Sequence, residues 1–372
     1  MKKLLCFMAF LTLMPLVAIK SFAFTAEQAE AANVPGLYKA LPQSAKKAMR
    51  SVKVSDGMDP EGAVKKIIKN LNIKLPKVLR NAVKGALSIF AVSCICGIAG
   101  AFLSAGPGIG GGQINFVNLA GAAAITIISV SGVSSMLGLC TDAISEVSLF
   151  AKVLMPAVAT AAGMAGMPLS GSAQCYATLL FSEFLISVIN RVIMPFIYAY
   201  IALITANAAL TNDLLKKSAD FIKWVCTFLL KLILTVFVAY ISVSGAVSGS
   251  ADAFSVKTLK FAASGMLPVI GSIVGDASES MIAGAGILKN AIGVYGMLAI
   301  LAICFYPLVS SGIHYLVYKA TAAFSSSVCS KELGDLIDGI AASFGLAFGV
   351  LGGCVLMFCI SLTIAIAFLK SA

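Results

Sequence analysis

Long apolar runs separated by short polar stretches dominate the chain from Gly85 onwards. A helix needs about 20 apolar residues to cross a hydrocarbon layer of about 30 Å. Lipid offers the backbone no hydrogen-bond partners, and these runs lack the alternating pattern of barrel strands. The pattern therefore predicts an all-α polytopic integral membrane protein with about 8–10 transmembrane or re-entrant helices. The predicted spans are Gly85–Ser104, Phe116–Cys140, Phe150–Met167, Ala173–Asn190, Val192–Leu210, Ile222–Val243, Ala262–Gly275, Leu288–Cys304, Phe305–Ala322 and Ile340–Leu369.

The first 23 residues have the pattern of a secretory signal peptide. Lys2 and Lys3 precede an apolar run from Leu4 to Ile19, and the small residues Ser21 and Ala23 follow it. Small residues at these two positions are typical of a signal peptidase site, which predicts cleavage after Ala23. The alternative is an uncleaved anchor. Both interpretations put the next segment outside the cytoplasm.

Residues 24–84 form a basic segment whose second half is amphipathic. Apolar residues recur at intervals of three and four from Val64 to Ala82, and lysine and arginine occupy the positions between them. This spacing predicts a helix that Pro76 breaks or kinks. A basic amphipathic helix is typical of a membrane interface. Docking of the same face on a partner protein is the alternative.

The membrane domain, residues 85–372, contains a probable internal repeat of about 112 residues. Pro156 and Pro268 are separated by that interval, and so are Pro195 and Pro307. We therefore expect repeats at 116–221 and 222–338, followed by a final helix at 340–369. Transporters often carry Gly- or Pro-interrupted helices at corresponding positions of two repeats, near their binding site. The segments around Pro156 and Pro268 are thus candidate pore or gate elements.

The membrane topology has two possible solutions. If every predicted span crosses fully, Lys216 and Lys217 lie in the cytoplasm, as the positive-inside rule prefers, and the repeats are parallel. If Phe150–Met167 only dips into the membrane, that pair lies outside and the repeats are inverted. We favour full spans.

Composition excludes several functional classes. Only 12% of residues are charged, whereas soluble domains carry about 25%. The net charge of +11 indicates contact with anionic membrane lipid, and no basic stripe interleaved with aromatic residues suggests nucleic-acid binding. There is no C-x-x-C pair and His314 is the single histidine, so we expect no metal site and no cofactor. No nucleophile–base motif is present, and we expect no enzyme activity.

Ionisable residues at membrane depth are the best candidates for a functional site. Each costs about 2.5–3.5 kcal/mol to insert, so such residues usually pair or line a cavity. Asp276, Ser278 and Glu279 lie close together in the sequence, and the alternative for this cluster is an ordinary polar loop in which Ser278 caps the next helix. The candidates for a pore, gate or ion site are Glu183, Arg191, Asp276, Ser278, Glu279 and Lys289. Glu183 and Arg191 share one face if their helix continues between them.

The last predicted helix carries a ridge of small residues at intervals of four. These residues are Ala341, Gly345, Gly349 and Gly353. Small residues let another helix approach closely. The ridge predicts packing within the chain or, alternatively, a contact between copies.

The chain resembles the stage III sporulation protein AE family. The resemblance rests on the signal, on Leu154-Met155-Pro156 and on the strings 275–280 and 284–294. It implies a membrane component of a channel between mother cell and forespore, located in the mother-cell membrane around the forespore and associated with other stage III sporulation proteins. The resemblance carries over no catalytic residues. A secondary transporter that uses the repeat interface is the alternative function.

Overall fold

The computed structural model describes residues 34–53, 62–63, 65–67, 75–104, 116–210, 212–266 and 271–367. The helix side chains of residues 75, 103–104, 170, 213, 244–266, 271–283 and 366–367 are outside the description. Helices account for almost all of this part of the chain, and it contains no strand. The helices are α1 (Val34–Ala40), α2 (Gln43–Met49), α3 (Leu75–Ser104), α4 (Phe116–Met164), α5 (Pro168–Val188), α6 (Met194–Leu210), α7 (Asp213–Met266), α8 (Gly271–Ser325) and α9 (Lys331–Ala367).

The fold class predicted from the sequence is confirmed. Within the described ranges, six helical segments are long and apolar enough to cross a membrane, so the protein is an all-α, multi-pass membrane protein. These segments are α3, α4, α5 with α6, α7, α8 and α9. The predicted signal peptide and Pro268 lie outside the described residues.

Several of the predicted breaks between spans are wrong. One helix of 49 residues, α4, contains Phe116–Cys140 and most of the predicted span Phe150–Met167, and α8 runs without a break through Cys304 and Phe305. At about 1.5 Å per residue, α4 is about 74 Å long and exceeds any hydrocarbon layer. Polar stretches such as 141–146 contain neither glycine nor proline, so nothing in them stops a helix.

Two pairs of long helices follow each other along the chain. The first pair is an antiparallel hairpin, which we call the first hairpin. One arm is α4. The other arm consists of α5 and α6, which the π-helical turn Ile189–Ile193 joins into one continuous helix. At its tip Gly166 has a φ of 81°, and the amides of Gly166 and Met167 donate to the carbonyls of Gly163 and Ala162. This Schellman arrangement ends α4, because glycine adopts positive φ without a steric cost. Pro168 then opens α5. The second pair of long helices is α7 and α8.

The helices α8 and α9 form the centre of the bundle. Both are mostly buried, whereas α3 and α7 lie at the periphery with most of their surface exposed. Buried residues such as Tyr295, Phe344 and Phe358 fill the centre, where close van der Waals packing holds the helices together. Phe344 packs edge-on against Tyr318, with 5.0 Å between the ring centroids.

A close backbone contact fixes α3 to the turn between α8 and α9. A side chain at Gly97 would overlap the carbonyl oxygen of Val328. Both residues lie at the end of the bundle that also contains Lys216, Lys319 and Lys331, which we call the lysine-rich end. The opposite end, with the tip at Gly166, is the hairpin end.

Candidate functional site

An ion pair connects the two helices of the first hairpin. Lys152 Nζ of α4 lies 2.6 Å from Glu183 Oε1 of α5, and the Ser148 hydroxyl donates to the same oxygen at 3.4 Å. The side chains of Lys152 and Glu183 are 52% and 54% exposed. Glu183 was a candidate from the sequence, but Lys152 was missed. Its position one helical turn before Pro156 is the signal that would have identified it.

Pro156 lies on the exposed side of α4, one turn beyond this ion pair. Proline has no amide hydrogen, so it leaves the carbonyl of Lys152 without its usual helical donor. The hydroxyl of Thr160 donates to the Pro156 carbonyl at 2.9 Å. The structure therefore brings together an ion pair and a break in the backbone hydrogen bonds of α4. The second proline segment, at Pro268, is outside the described residues.

Arg191 follows Glu183 in the chain and lies inside the π-helical turn. It lies within Ile189–Ile193, is exposed, and forms no ion pair with any residue in the described ranges. A π turn adds one residue to a helical turn and rotates the residues after it about the helix axis. Glu183 itself pairs across the hairpin with Lys152.

Lys289 is buried in α8 with 3% of its surface exposed. The next residue, Asn290, has a buried side-chain oxygen without a hydrogen-bond donor among the described residues. Buried charges are retained in folded proteins when other groups compensate them, and Lys289 is in contact with at least one interaction partner. The backbone of Asp276, Ser278 and Glu279 belongs to α8, while their side chains are outside the description.

The small-residue ridge of α9 faces neighbours within the chain at three of its four positions. A Cβ at Gly345 would lie 3.1 Å from the ring of Tyr315 in α8, and one at Gly353 would lie 3.5 Å from Leu234 in α7. Ala341 is fully buried, and no atom lies within 4 Å of the corresponding position at Gly349.

Polar groups that were not candidates for a functional site connect the helices at the lysine-rich end. Lys216 at the start of α7 pairs with Asp335 of α9 at 2.7 Å, and Lys319 of α8 pairs with Asp338 of the same helix α9. The Ser330 hydroxyl donates to Asn118 Oδ1 at 2.9 Å, which joins the start of α4 to the turn before α9. All these contacts join residues far apart in the chain or across a turn, so periodicity alone could not reveal them.

The N-terminal helices dock on the side of the bundle. The Ser44 hydroxyl of α2 donates to Glu146 Oε2 of α4 at 2.6 Å. Leu37, Leu41 and Met49 are buried, which shows that the apolar face of α1 and α2 packs against protein. Contacts of α1 with α4 and of α2 with α8 hold this segment in place.

A largely apolar groove of about 450 Å³ lies between α4 and α6. Thr126 and Thr205 are hydrogen-bonded to each other at 3.0 Å on its wall, and Tyr198 and Ser134 complete the polar lining. No three His, Cys, Asp or Glu side chains of the described ranges come close enough together to hold a metal ion. The described part of the chain thus has charged pairs and packed helices, without a recognisable catalytic constellation.

Comparison with known proteins gives two matches to one family. A family model described as stage III sporulation protein AE matches residues 45–368. The protein of Bacillus subtilis (strain 168) named stage III sporulation protein AE is 24% identical over 242 residues, which cover 65% of this chain and 61% of that relative. The aligned part of the chain thus spans less than two thirds of that relative's length. No solved structure matches this chain.

Proposed function

We propose, from the premise that this chain belongs to the stage III sporulation protein AE family, that it is a membrane component of a sporulation channel linking mother cell and forespore. Membership of the family implies a role in sporulation, and the six apolar segments fit a multi-pass membrane protein. In this proposal the protein lies in the mother-cell membrane around the forespore. It acts without catalysis, together with other stage III sporulation proteins and anionic lipid.

The observation that carries the proposal is the family match over residues 45–368, which includes most of the N-terminal helix α2 and the bundle down to α9. The secretory signal predicted for residues 1–23 would deliver α1 and α2 to the outer side of the membrane. Docked against Glu146, these helices would then present their exposed residues, such as Lys39, to partners in the space between the two membranes.

The proposal is tested by the yield of heat-resistant spores in a deletion strain of the source organism. We expect a large loss of spores with normal vegetative growth, and recovery when the intact gene is restored. A restored copy that carries a premature stop before α3 serves as the matched control and should not rescue. Normal spore yield in the deletion strain would contradict the proposal.

A secondary transporter is the second candidate, because a lysine buried in a membrane helix often belongs to an ion or substrate pathway. Lys289 is such a residue. Neutralising the acidic residues that precede it in α8, with Asp276→Asn and Glu279→Gln, separates the two functions. A transporter should lose activity while the protein still accumulates in the membrane, and a scaffold of the channel should keep full spore yield.

A further inference from the structure

One exposed face of the first hairpin combines apolar and charged side chains. Its residues are Leu149, Lys152 and Pro156 of α4 and Tyr176, Leu180 and Glu183 of α5, and we call it the hairpin face. On each helix the three residues are separated by intervals of three and four, so they lie on one side. The Lys152–Glu183 ion pair bridges the two stripes.

This face is unfavourable in either solvent that a membrane protein meets. Leu149, Tyr176 and Leu180 are 64%, 70% and 69% exposed, and contact with water would leave their apolar area unburied. Lipid would cover that area, but it would surround two half-exposed charges with hydrocarbon, where ionisable groups are costly. A protein surface with both apolar side chains and complementary charges resolves both problems.

We propose that the hairpin face binds the same face of a second copy of this chain. The proposal concerns assembly of the chain with itself and does not depend on the role in sporulation.

The membrane fixes the symmetry of such a pair. Two copies inserted in one membrane share their orientation, so a two-fold axis between them runs along the helices. Rotation about this axis keeps each residue at the same height along the helices, which we call its level. It also places α4 of one copy against α5 of the other. Two antiparallel hairpins then form a four-helix arrangement, and stripes with intervals of three and four residues suit such packing.

Under this two-fold axis, the charges on the hairpin face of one copy meet charges of opposite sign on the hairpin face of the other. Lys152 and Glu183 lie at one level, since their charged atoms are 2.6 Å apart. Each Lys152 therefore comes between its own Glu183 and Glu183 of the second copy. The four side chains form a ring of alternating charge, in which every half-exposed group gains a second partner of opposite sign.

The shapes of the two stripes are also complementary. A Cβ at Gly171 would lie 2.7 Å from Cβ of Ala162, which marks a second level shared by α4 and α5 nearer the tip. Pro156 on α4 and the long side chains of Tyr176 and Leu180 on α5 all lie between the two levels. The axis thus sets the compact proline of one copy opposite the two large side chains of the other.

Charge reversal tests the proposal with the full chain in detergent micelles. Two tagged versions are co-expressed, and co-purification of one tag with the other is measured. Lys152→Glu alone or Glu183→Lys alone makes the ring repulsive, and we expect each variant to lose self-association by about tenfold or more. In a mixture of the two variants, the new carboxylate at position 152 of one copy faces the new ammonium group at position 183 of the other. We therefore expect the mixture to associate like the parent chain.

Recovery in the mixture separates an intermolecular contact from damage to the fold, because each variant still lacks its own intramolecular pair. Leu180→Ala should also weaken association by roughly tenfold, whereas the control Leu87→Ala, exposed on α3 away from this face, should not change it. The proposal is overturned if the parent chain is monomeric, if single variants associate like the parent, or if the mixture fails to associate. Capture of a different protein by this face in place of a second copy also overturns it.

Discussion

The hydroxyl of Ser44 donates a hydrogen bond of 2.6 Å to the carboxylate of Glu146, 102 positions further along the chain. This contact ties the N-terminal helix α2 to α4. The side chains of Leu37, Leu41 and Met49, which belong to the same segment, are buried. Residues 34–53 of the segment before the membrane domain therefore pack against the bundle itself.

Shortening a buried side chain of this segment should loosen its docking. Leu37 is fully buried, and replacing a buried leucine by alanine costs about 2–5 kcal/mol. We expect Leu37→Ala to increase the rate of limited proteolysis within residues 34–53 by about 30-fold or more, because each 1.4 kcal/mol corresponds to about tenfold. Lys39→Ala changes an exposed residue of the same helix and is the control. Equal cleavage of both variants would contradict the docking.

Two glycines of α3 should respond in opposite directions to alanine. A Cβ at Gly97 would overlap the Val328 carbonyl, and nothing lies within 4 Å of the same position at Gly100. Overpacking costs about 1–3 kcal/mol. Alanine in a helix interior otherwise gains about 0.5–1 kcal/mol over glycine. We expect Gly97→Ala to lower the melting temperature in micelles and Gly100→Ala to leave it unchanged or raise it. The same shift for both variants would show that α3 does not approach the turn this closely.

The hydroxyl groups of Thr178 and Ser361 should be energetically coupled. They are hydrogen-bonded between α5 and α9 in a buried position, and Gln174 donates to the Ser361 carbonyl beside them. Hydrogen bonds between membrane helices are worth about 0.6 kcal/mol on average and about 1.7 kcal/mol at most. We expect Thr178→Val to destabilise the protein and Ser361→Ala to cost less in the Thr178→Val background than in the parent. Additive costs in denaturation measurements would argue against the contact, and Thr160→Val is an exposed control.

The two ends of the bundle should lie on opposite sides of the membrane. Three apolar segments, α3, α4 and α5 with α6, separate residue 39 from residue 212. An odd number of crossings puts Lys216 and Lys217 in the cytoplasm if residues 34–53 are outside. We expect a membrane-impermeant thiol reagent to label Lys39→Cys in intact cells and Asn212→Cys in inverted vesicles, above the background of the parent chain. Labelling of both variants from one side would contradict this topology.

The small-residue ridge and the internal repeat stay predictions. Gly345 and Gly353 face Tyr315 and Leu234 of the same chain, which suits packing within the bundle. The helices do not test the repeat, because Pro268, which defines the second repeat, lies outside the described residues. The repeat therefore rests on the spacing of the prolines in the sequence.

The sequence by itself determined that this protein is helical and crosses a membrane, because long apolar runs with few charges leave the backbone no other stable arrangement in lipid. It also identified Glu183 and Lys289 as unusual, since ionisable residues within such runs are rare. The tertiary structure decided where the helices end and which charges pair. The breaks at 141–149 and 304–305 do not occur, because the bundle supports helices far longer than one membrane crossing. Lys152 became the partner of Glu183 because the turn at Gly166 folds α5 back along α4, and a contact set by a turn is not visible in the spacing of either helix.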